Sequence, residues 1–313
     1  MYYIGVDLGG TNIAAGVVSE DWKLVVKSSV KTNVDDPDAL VKDMADLIKK
    51  VISDAGISVS DIKSIGIGSP GTIDSKNGVV VYANNINFHN FPLAEKLKKF
   101  IDLPVFMSND ANVAALGEFV AGGAKEYNSA VMVTLGTGVG GGIILDGKIW
   151  EGYKSAGAEI GHTVIAVDGE QCSCGRKGCW EAYSSATALI RDTKRAIEKN
   201  PSSLMAEIAE NDGKVSGKTA FSAAKKGDSV AQEVIDNYIK HLAEGIANIL
   251  NLIAPDVVLL GGGIAYEGEN LLVPLRKKVK SLVYGTDDSM HGEIKSATLG
   301  NDAGIIGAAA LGK

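Results

Sequence analysis

The sequence predicts an α/β protein built from two related domains, and three observations predict it. The segment IGVDLGGTNIAAGVV at 4–18 reads as strand, glycine turn, strand, and AVMVTLGTGVGGGIIL at 130–145 repeats that layout. Around these two units, apolar residues alternate between strand spacing and helical spacing, which is the pattern of α/β architecture. At 313 residues the chain is long enough for two ordinary domains.

Taken in order, residues 2–8, 13–18 and 23–30 are predicted to form an antiparallel meander with a turn at Gly9-Gly10. Residues 38–55 carry a helical stripe of Leu40, Met44, Leu47, Ile48, Val51 and Ile52, with Gly56 as its stop. Ile62 to Ile67 reads as a buried strand running into GSPG at 68–71, followed by a helix at 92–101, a strand from Val105 to Ser108 and a helix from Ala111 to Val120. After the second strand–turn–strand unit, residues 150–181 are irregular and hold every cysteine. The remainder is mainly helical. Its clearest helix spans about 228–253, with Val234, Ile235, Tyr238, Leu242, Ile246 and Ile249 on one face. Asp256 to Leu260 is a buried strand leading into Gly261-Gly262-Gly263, and Ala303 to Leu311 is a helix of small residues.

Composition narrows the function classes. A net charge of −7 leaves nucleic-acid binding dependent on a local basic patch, and the lysine pairs 49–50, 98–99 and 277–278 read instead as solvated helix faces. The N-terminus lacks a basic leader region and enters a strand at once, which argues for a cytoplasmic protein. No window offers the roughly 18 apolar residues of a membrane span. The three cysteines, Cys172, Cys174 and Cys179, fall within eight residues, a grouping that suits metal ligation rather than a disulfide framework.

A phosphate site needs backbone N–H groups that a ligand can approach without side-chain obstruction. Asp7-Leu8-Gly9-Gly10-Thr11-Asn12 meets that need: Gly9 and Gly10 permit a tight turn, Thr11 and Asn12 offer donors, and Asp7 could hold Mg²⁺ directly or through water. Alone, the segment reads equally well as a plain hairpin turn. A second loop, Leu135 to Gly142, includes Thr137 and Gly138, and Gly261, Gly262 and Gly263 could let a nucleotide base or ribose lie on the backbone. Two apparent nucleotide motifs are decoys. Gly136, Gly138 and Gly141 satisfy G-x-G-x-x-G, but a strand follows where a dinucleotide fold needs a helix. Gly217-Lys218-Thr219 lacks the upstream glycine of a P-loop, since Asp212 occupies that position.

His162, Cys172, Cys174 and Cys179 form a candidate zinc set, with Gly175 and Gly178 letting the chain fold back. Three thiolates and one imidazole would close a structural tetrahedral site. By spacing alone, His162 is only the nearest of four histidines. Glu159 and Glu181 flank the set, so a metal there would gather two carboxylates and an imidazole, a constellation suited to sugar hydroxyls. Asn109-Asp110-Ala111-Asn112 stands where a strand meets a helix. Asp110 reads either as a helix cap or as the base that accepts the proton of an attacking hydroxyl, ionised at neutral pH by its ordinary pKa of ~3.9.

Together these motifs resemble the ROK family of sugar kinases and repressors, within the actin/hexokinase/Hsp70-like ATPase fold of duplicated ribonuclease H-like domains. The matching segments are DLGGTN at 7–12, GSPG at 68–71, SNDAN at 108–112, LGTGVGGG at 135–142, GAEIGH at 157–162, CSCGRKGCWE at 172–181 and LLGGG at 259–263. GAEIGH and the EAYSSATAL run at 181–189 look most like the bacterial glucokinase branch. The resemblance implies two domains, 1–108 with 300–313 and 109–299, the second carrying the zinc loop. It implies ATP, Mg²⁺ and structural Zn²⁺, with Asp110 as catalytic base. It matches Gly71, Asn84, Asn109, Asp110, Glu159, His162 and Glu181 to sugar contacts, and the three glycine segments to ATP. His162 becomes the fourth zinc ligand by the same match. A homodimer or homotetramer is implied, with no nucleic-acid or membrane partner. The expected reaction is phosphorylation of a hexose 6-hydroxyl, with glucose first among acceptors and N-acetylglucosamine, N-acetylmannosamine, mannose or fructose as alternatives. A sugar-responsive regulator would need a DNA-binding helix-turn-helix ahead of a first strand that already starts at about residue 3.

Overall fold

The computed structural model describes residues 1–83, 86–285 and 291–313. In chain order the elements are β1 (Tyr2–Leu8), β2 (Asn12–Ser19), β3 (Leu24–Lys31), α1 (Pro37–Asp54), β4 (Ile62–Ser69), β5 (Thr72–Asp74), β6 (Val79–Ala83), β7 (Phe88–Phe91), α2 (Leu93–Lys98), β8 (Val105–Asn109), α3 (Asp110–Ala121), β9 (Ala130–Leu135), β10 (Val139–Leu145) and β11 (Lys148–Ile149). They continue with α4 (Glu181–Ser184), α5 (Ala186–Lys199), α6 (Leu204–Asn211), α7 (Thr219–Lys225), α8 (Ser229–Leu252), β12 (Val257–Gly261), α9 (Glu269–Lys280), β13 (Glu293–Ser296) and α10 (Asp302–Ala310). Two sheets have five strands each, ordered β3-β2-β1-β4-β8 and β11-β10-β9-β12-β13. The orders correspond position by position, as the repeated strand–turn–strand unit requires.

By its packing the chain forms two compact units, residues 1–132, 142–158 and 298–313 in the first, and 133–141 and 159–297 in the second. In the first unit, β1, β2 and β3 are antiparallel, while β4 and β8 add in parallel to β1. Alternation sends Ile4, Val6, Leu8, Ile13, Ala15 and Val17 into one core with Leu40, Met44, Ile48 and Val51 of α1. That helix is started by Asp36, whose side chain accepts from the amides of Asp38 and Ala39, and by Pro37 in its first turn. The opposite face of the sheet receives α10. This nine-residue helix is apolar nearly all round and buries eight of its residues. It lies almost on the strands because Gly66 has no Cβ, an atom that would stand 1.7 Å from the Ala308 carbonyl oxygen.

Helix α3 also belongs to this unit, whereas a break after residue 108 would assign it to the second domain. The reason is its seam with α10 and the fully buried Glu118. That carboxylate accepts from the amides of Gly123 (2.7 Å), Thr298 (2.9 Å) and Leu299 (2.7 Å), tying the end of α3 to the segment that leads into α10. A small sheet ordered β5-β6-β7 has no counterpart in the expectations.

In the second unit, β12 is buried at every position and pairs in parallel with β13. The 24-residue α8 is capped by Asp228 and buries the stripe expected of it, including Val234, Ile235, Tyr238, Leu242, Ile246 and Ile249. Trp180, fully buried, donates its indole N–H to the His241 carbonyl at 3.0 Å, anchoring the end of the irregular cysteine segment on α8. Among the described residues no helix is long and apolar enough to cross a membrane.

Candidate active site

In the first unit the candidate residues gather at the carboxyl ends of the parallel strands, where open α/β sheets bind ligands. Register fixes the row: Asp7 pairs with Gly68, Gly68 with Ser108, and Ser69 with Asn109. The turn after β1 is closed by the Gly9 amide donating to the Asn12 carbonyl at 3.0 Å. Thr32, which the sequence did not single out, braces it by donating its hydroxyl to the Gly9 carbonyl at 2.6 Å and its amide to the Thr11 carbonyl at 2.9 Å. The side chains of Thr11 and Asn12 are exposed, and Gly10 is half-buried.

Asp7 reaches under α10, where a Cβ on Gly304 would stand 2.6 Å from its carboxylate. Burial first, and the Asp110 charge second, push its carboxyl from the ordinary 3.8 up to about 6. Asp110 itself is the first residue of α3 and is exposed. The cap of α3 is Asn109, whose side-chain oxygen accepts from the Ala111 amide at 2.9 Å; the Asp110 carboxylate accepts from the same amide at 2.8 Å. Asn109 also donates to the Gly71 carbonyl at 3.1 Å, drawing in the turn where Gly71 adopts a φ of 92°. Asn84 lies outside the described residues.

In the second unit, the 135–142 loop is stitched to the start of α5. Ala186 donates its amide to the Gly136 carbonyl and Thr187 its hydroxyl to the Thr137 carbonyl, both at 2.8 Å. Gly262, at a φ of 84°, sits against the Leu135 backbone, so the third glycine segment meets the second. Glu181 accepts from the Val139 amide at 3.0 Å and from the Ser173 hydroxyl at 3.1 Å, joining the glycine loop to the cysteine loop. It fits there because Gly138 lacks the Cβ that would come within 2.2 Å of its carboxylate. Glu159 opens the short helical turn Ile160–His162; its carbonyl accepts from the His162 amide at 3.1 Å and its side chain is exposed.

His162, Cys172, Cys174 and Cys179 place one ligand atom each within 4.8 Å of one another. The Cys174 and Cys179 sulfurs are 3.6 Å apart, and Cys172 lies 3.7 Å from His162 Nδ1. Sulfurs around a tetrahedral zinc stand about 3.8 Å apart, given Zn–S bonds of ~2.3 Å, whereas disulfide sulfurs are bonded at ~2.05 Å. All three cysteines are free. Burial, then contact with Cys174 and Cys172, pushes the Cys179 thiol up to about 12, a crowding of thiols that a divalent cation reverses. The donor set is compatible with zinc.

Comparison with known proteins fits this arrangement. The sequence pattern of the ROK family matches residues 3–313. The chain belongs to the ROK family. The glucokinase of Halalkalibacterium halodurans is 38% identical over 98% of this chain and 93% of its own length. A ROK family glucokinase from Streptomyces griseus, solved in complex with glucose and AMPPNP, superposes with a TM-score of 0.82 at 34% identity, covering 99% of both chains. The relatives include a regulator: a xylose repressor of Caldicellulosiruptor bescii is 31% identical over 88% of this chain and 69% of its own length. The α/β hexokinase-like ATPase fold expected from the motifs is the fold observed.

Proposed function

We propose that this chain is an ATP-dependent glucokinase, transferring the γ-phosphoryl group of ATP to the 6-hydroxyl of glucose. The observation that carries the reading is the strand-end row in the first unit. An exposed carboxylate, Asp110, opens a helix beside Asp7 and a braced glycine turn. Glucokinases that match along nearly their whole length support glucose as acceptor. Asp110 accepts the proton of the attacking hydroxyl, and by resemblance Asn109, Gly71, Glu159, His162 and Glu181 are the residues that hydrogen-bond the sugar hydroxyls. Asn84 completes that set by resemblance. Gly9, Gly10, Thr11, Asn12, Thr137 and Gly138 cradle phosphates, and Gly261, Gly262 and Gly263 receive the adenosine. Asp7 holds Mg²⁺, which when bound neutralises charge on the transferring phosphoryl group. Zinc held by His162, Cys172, Cys174 and Cys179 is structural. The protein acts in the cytoplasm as a homodimer or homotetramer.

A coupled assay over glucose, N-acetylglucosamine, N-acetylmannosamine, mannose and fructose with ATP tests the reading. Glucose is expected to give the highest kcat/KM. A higher value for an acetamido sugar would reassign the acceptor, and no ATP turnover with any of the five would remove the kinase reading.

A further inference from the structure

Between β11 and the Ile160–His162 turn stands a carboxylate with no part in the proposed transfer. Glu151 Oε1 accepts from the Ser108 hydroxyl at 2.5 Å and the Ser75 hydroxyl at 2.9 Å, and its Oε2 accepts from the Ser155 hydroxyl at 3.0 Å. The three serines come from three separate pieces of the first unit. Ser108 is in β8, fully buried, two residues before Asp110. Ser75 follows β5, the strand that begins just after Gly71. Ser155 lies in the segment that leads to Glu159.

That segment is held in an unfavourable backbone shape. Lys154, Ser155 and Ala158 have φ values of 53°, 55° and 64°, in the left-handed region that non-glycine residues seldom occupy. Such a conformation persists only where surrounding contacts over-determine it. Here the contacts are the Ser155 bond to Glu151 and the Gly157 amide donating to the Glu151 carbonyl at 2.7 Å. One carboxylate thus fastens the strand end that presents Asp110, the β5 end that presents Gly71, and the strained approach to Glu159. Asn109, donating to the Gly71 carbonyl, closes the same assembly from the other side.

We propose that Glu151 is a positioning residue: its three-serine clamp sets the Asn109–Asp110 turn and the 152–158 segment on the acceptor side of the reaction. Its kinetic consequence rests on the kinase reading of Asp110; the clamp itself does not. Misplacing a reacting group by about 1 Å costs on the order of 100-fold in rate. Glu151→Ala is therefore expected to lower kcat/KM for glucose by about 10- to 100-fold, with both a lower kcat and a higher glucose KM. The ATP KM should change by less than about twofold. Glu151→Gln keeps one acceptor oxygen and should recover part of the loss. Ser155→Ala, which removes a single hydroxyl, should show the same split more weakly, and it decides the matter if Glu151→Ala yields little folded protein. Wild-type kinetics in these variants would overturn the proposal. So would a lower kcat with both KM values unchanged, since that reports only a smaller folded fraction. Hydrogen exchange reads the clamp without the reaction: residues 105–112 and 150–158 should both exchange faster in Glu151→Ala, and unchanged exchange in either overturns it. If the unaltered chain phosphorylates no hexose while exchange rises as expected, the kinase reading falls and the clamp stands.

Discussion

The strand-end row of the first unit and the cysteine loop of the second hold their polar groups by opposite means. Asp7 and Asp110 stand on β1 and at the start of α3, and β1 is packed between α1 and α10. Their positions follow from sheet register and a helix start. Residues 163–180 have no comparable framework. Their regular backbone pairing amounts to two isolated bridges, Val164 with Cys179 and Gln171 with Lys177, and their own buried cluster is Cys172, Cys179 and Ala182 with Tyr183 beside it. A hydrophobic core supplies order in the first case. In the second, order comes from loop hydrogen bonds such as Cys172 to Arg176 and Gly178 to Glu170 and from the Trp180 anchor, and a metal on the Cys/His set would add a cross-link. The difference says which perturbations should stay local and which should spread.

The sharpest separation comes from Asp110→Asn. The substitution keeps shape and the hydrogen-bonding oxygen but removes the carboxylate proposed as base, so kcat is expected to fall on the order of 10²- to 10⁴-fold while glucose still binds by calorimetry. Metal content is expected to stay at about one zinc per chain, because Asp110 is not among the four candidate ligands. Near-normal turnover would show that the strand-end row is not the chemical centre.

Cys174→Ser perturbs the other region and should spread within it. Loss of one thiolate opens the tetrahedral set, zinc is expected to be lost, and the 159–181 segment should loosen. Trp180, fully buried next to Cys179, reports this in a Trp22→Phe, Trp150→Phe background: its emission should shift to the red and glucose affinity should fall by about tenfold or more. A metal-free, fully active protein with unchanged Trp180 emission would erase the contrast between the two regions.

Most of the fold was legible because its signals are local. The stripe of α1, the meander and the glycine turns are periodicities and turn residues read within a dozen positions. The β5-β6-β7 sheet is not legible in the sequence: Val79-Val80-Val81-Tyr82 carries a strand signal, but β5 has only three residues and its partners are set by tertiary pairing. The grouping of α3 with α10 was hidden for a similar reason. It depends on Glu118 meeting Thr298 and Leu299, some 180 residues away, and no spacing announces that. At the site, the candidate carboxylates and thiols stood out by type and clustering. Their braces did not, since Thr32, Thr187 and the Glu151 serines are ordinary hydroxyl residues of turns, a helix start and a strand end until the chain brings them together.

The opposite sign belongs to Asp7, whose replacement should raise stability, and it shows what the ordered framework costs. A carboxyl raised from 3.8 to about 6 is disfavoured in its ionised form by the fold. The sign follows by linkage. Below pH 3.8 the group is protonated in both folded and unfolded chains, and nothing is lost. Between 3.8 and about 6 the unfolded chain ionises first, so stability declines as pH rises, and above about 6 the full penalty persists. Its size is on the order of 2–3 kcal/mol. Asp7→Asn should therefore stabilise the nucleotide-free protein in urea at pH 8 by up to that amount, and by nearly nothing at pH 4. In the Asp110→Asn background the gain should be smaller, because the Asp110 charge supplies the second part of the shift while burial supplies the first. The same variant is expected to lose Mg²⁺-dependent turnover, and the parent enzyme's Mg²⁺ affinity should weaken as pH falls through about 6, where Asp7 takes up its proton. Equal stability of the two proteins at pH 8 would mean that the strand-end row carries no such strain.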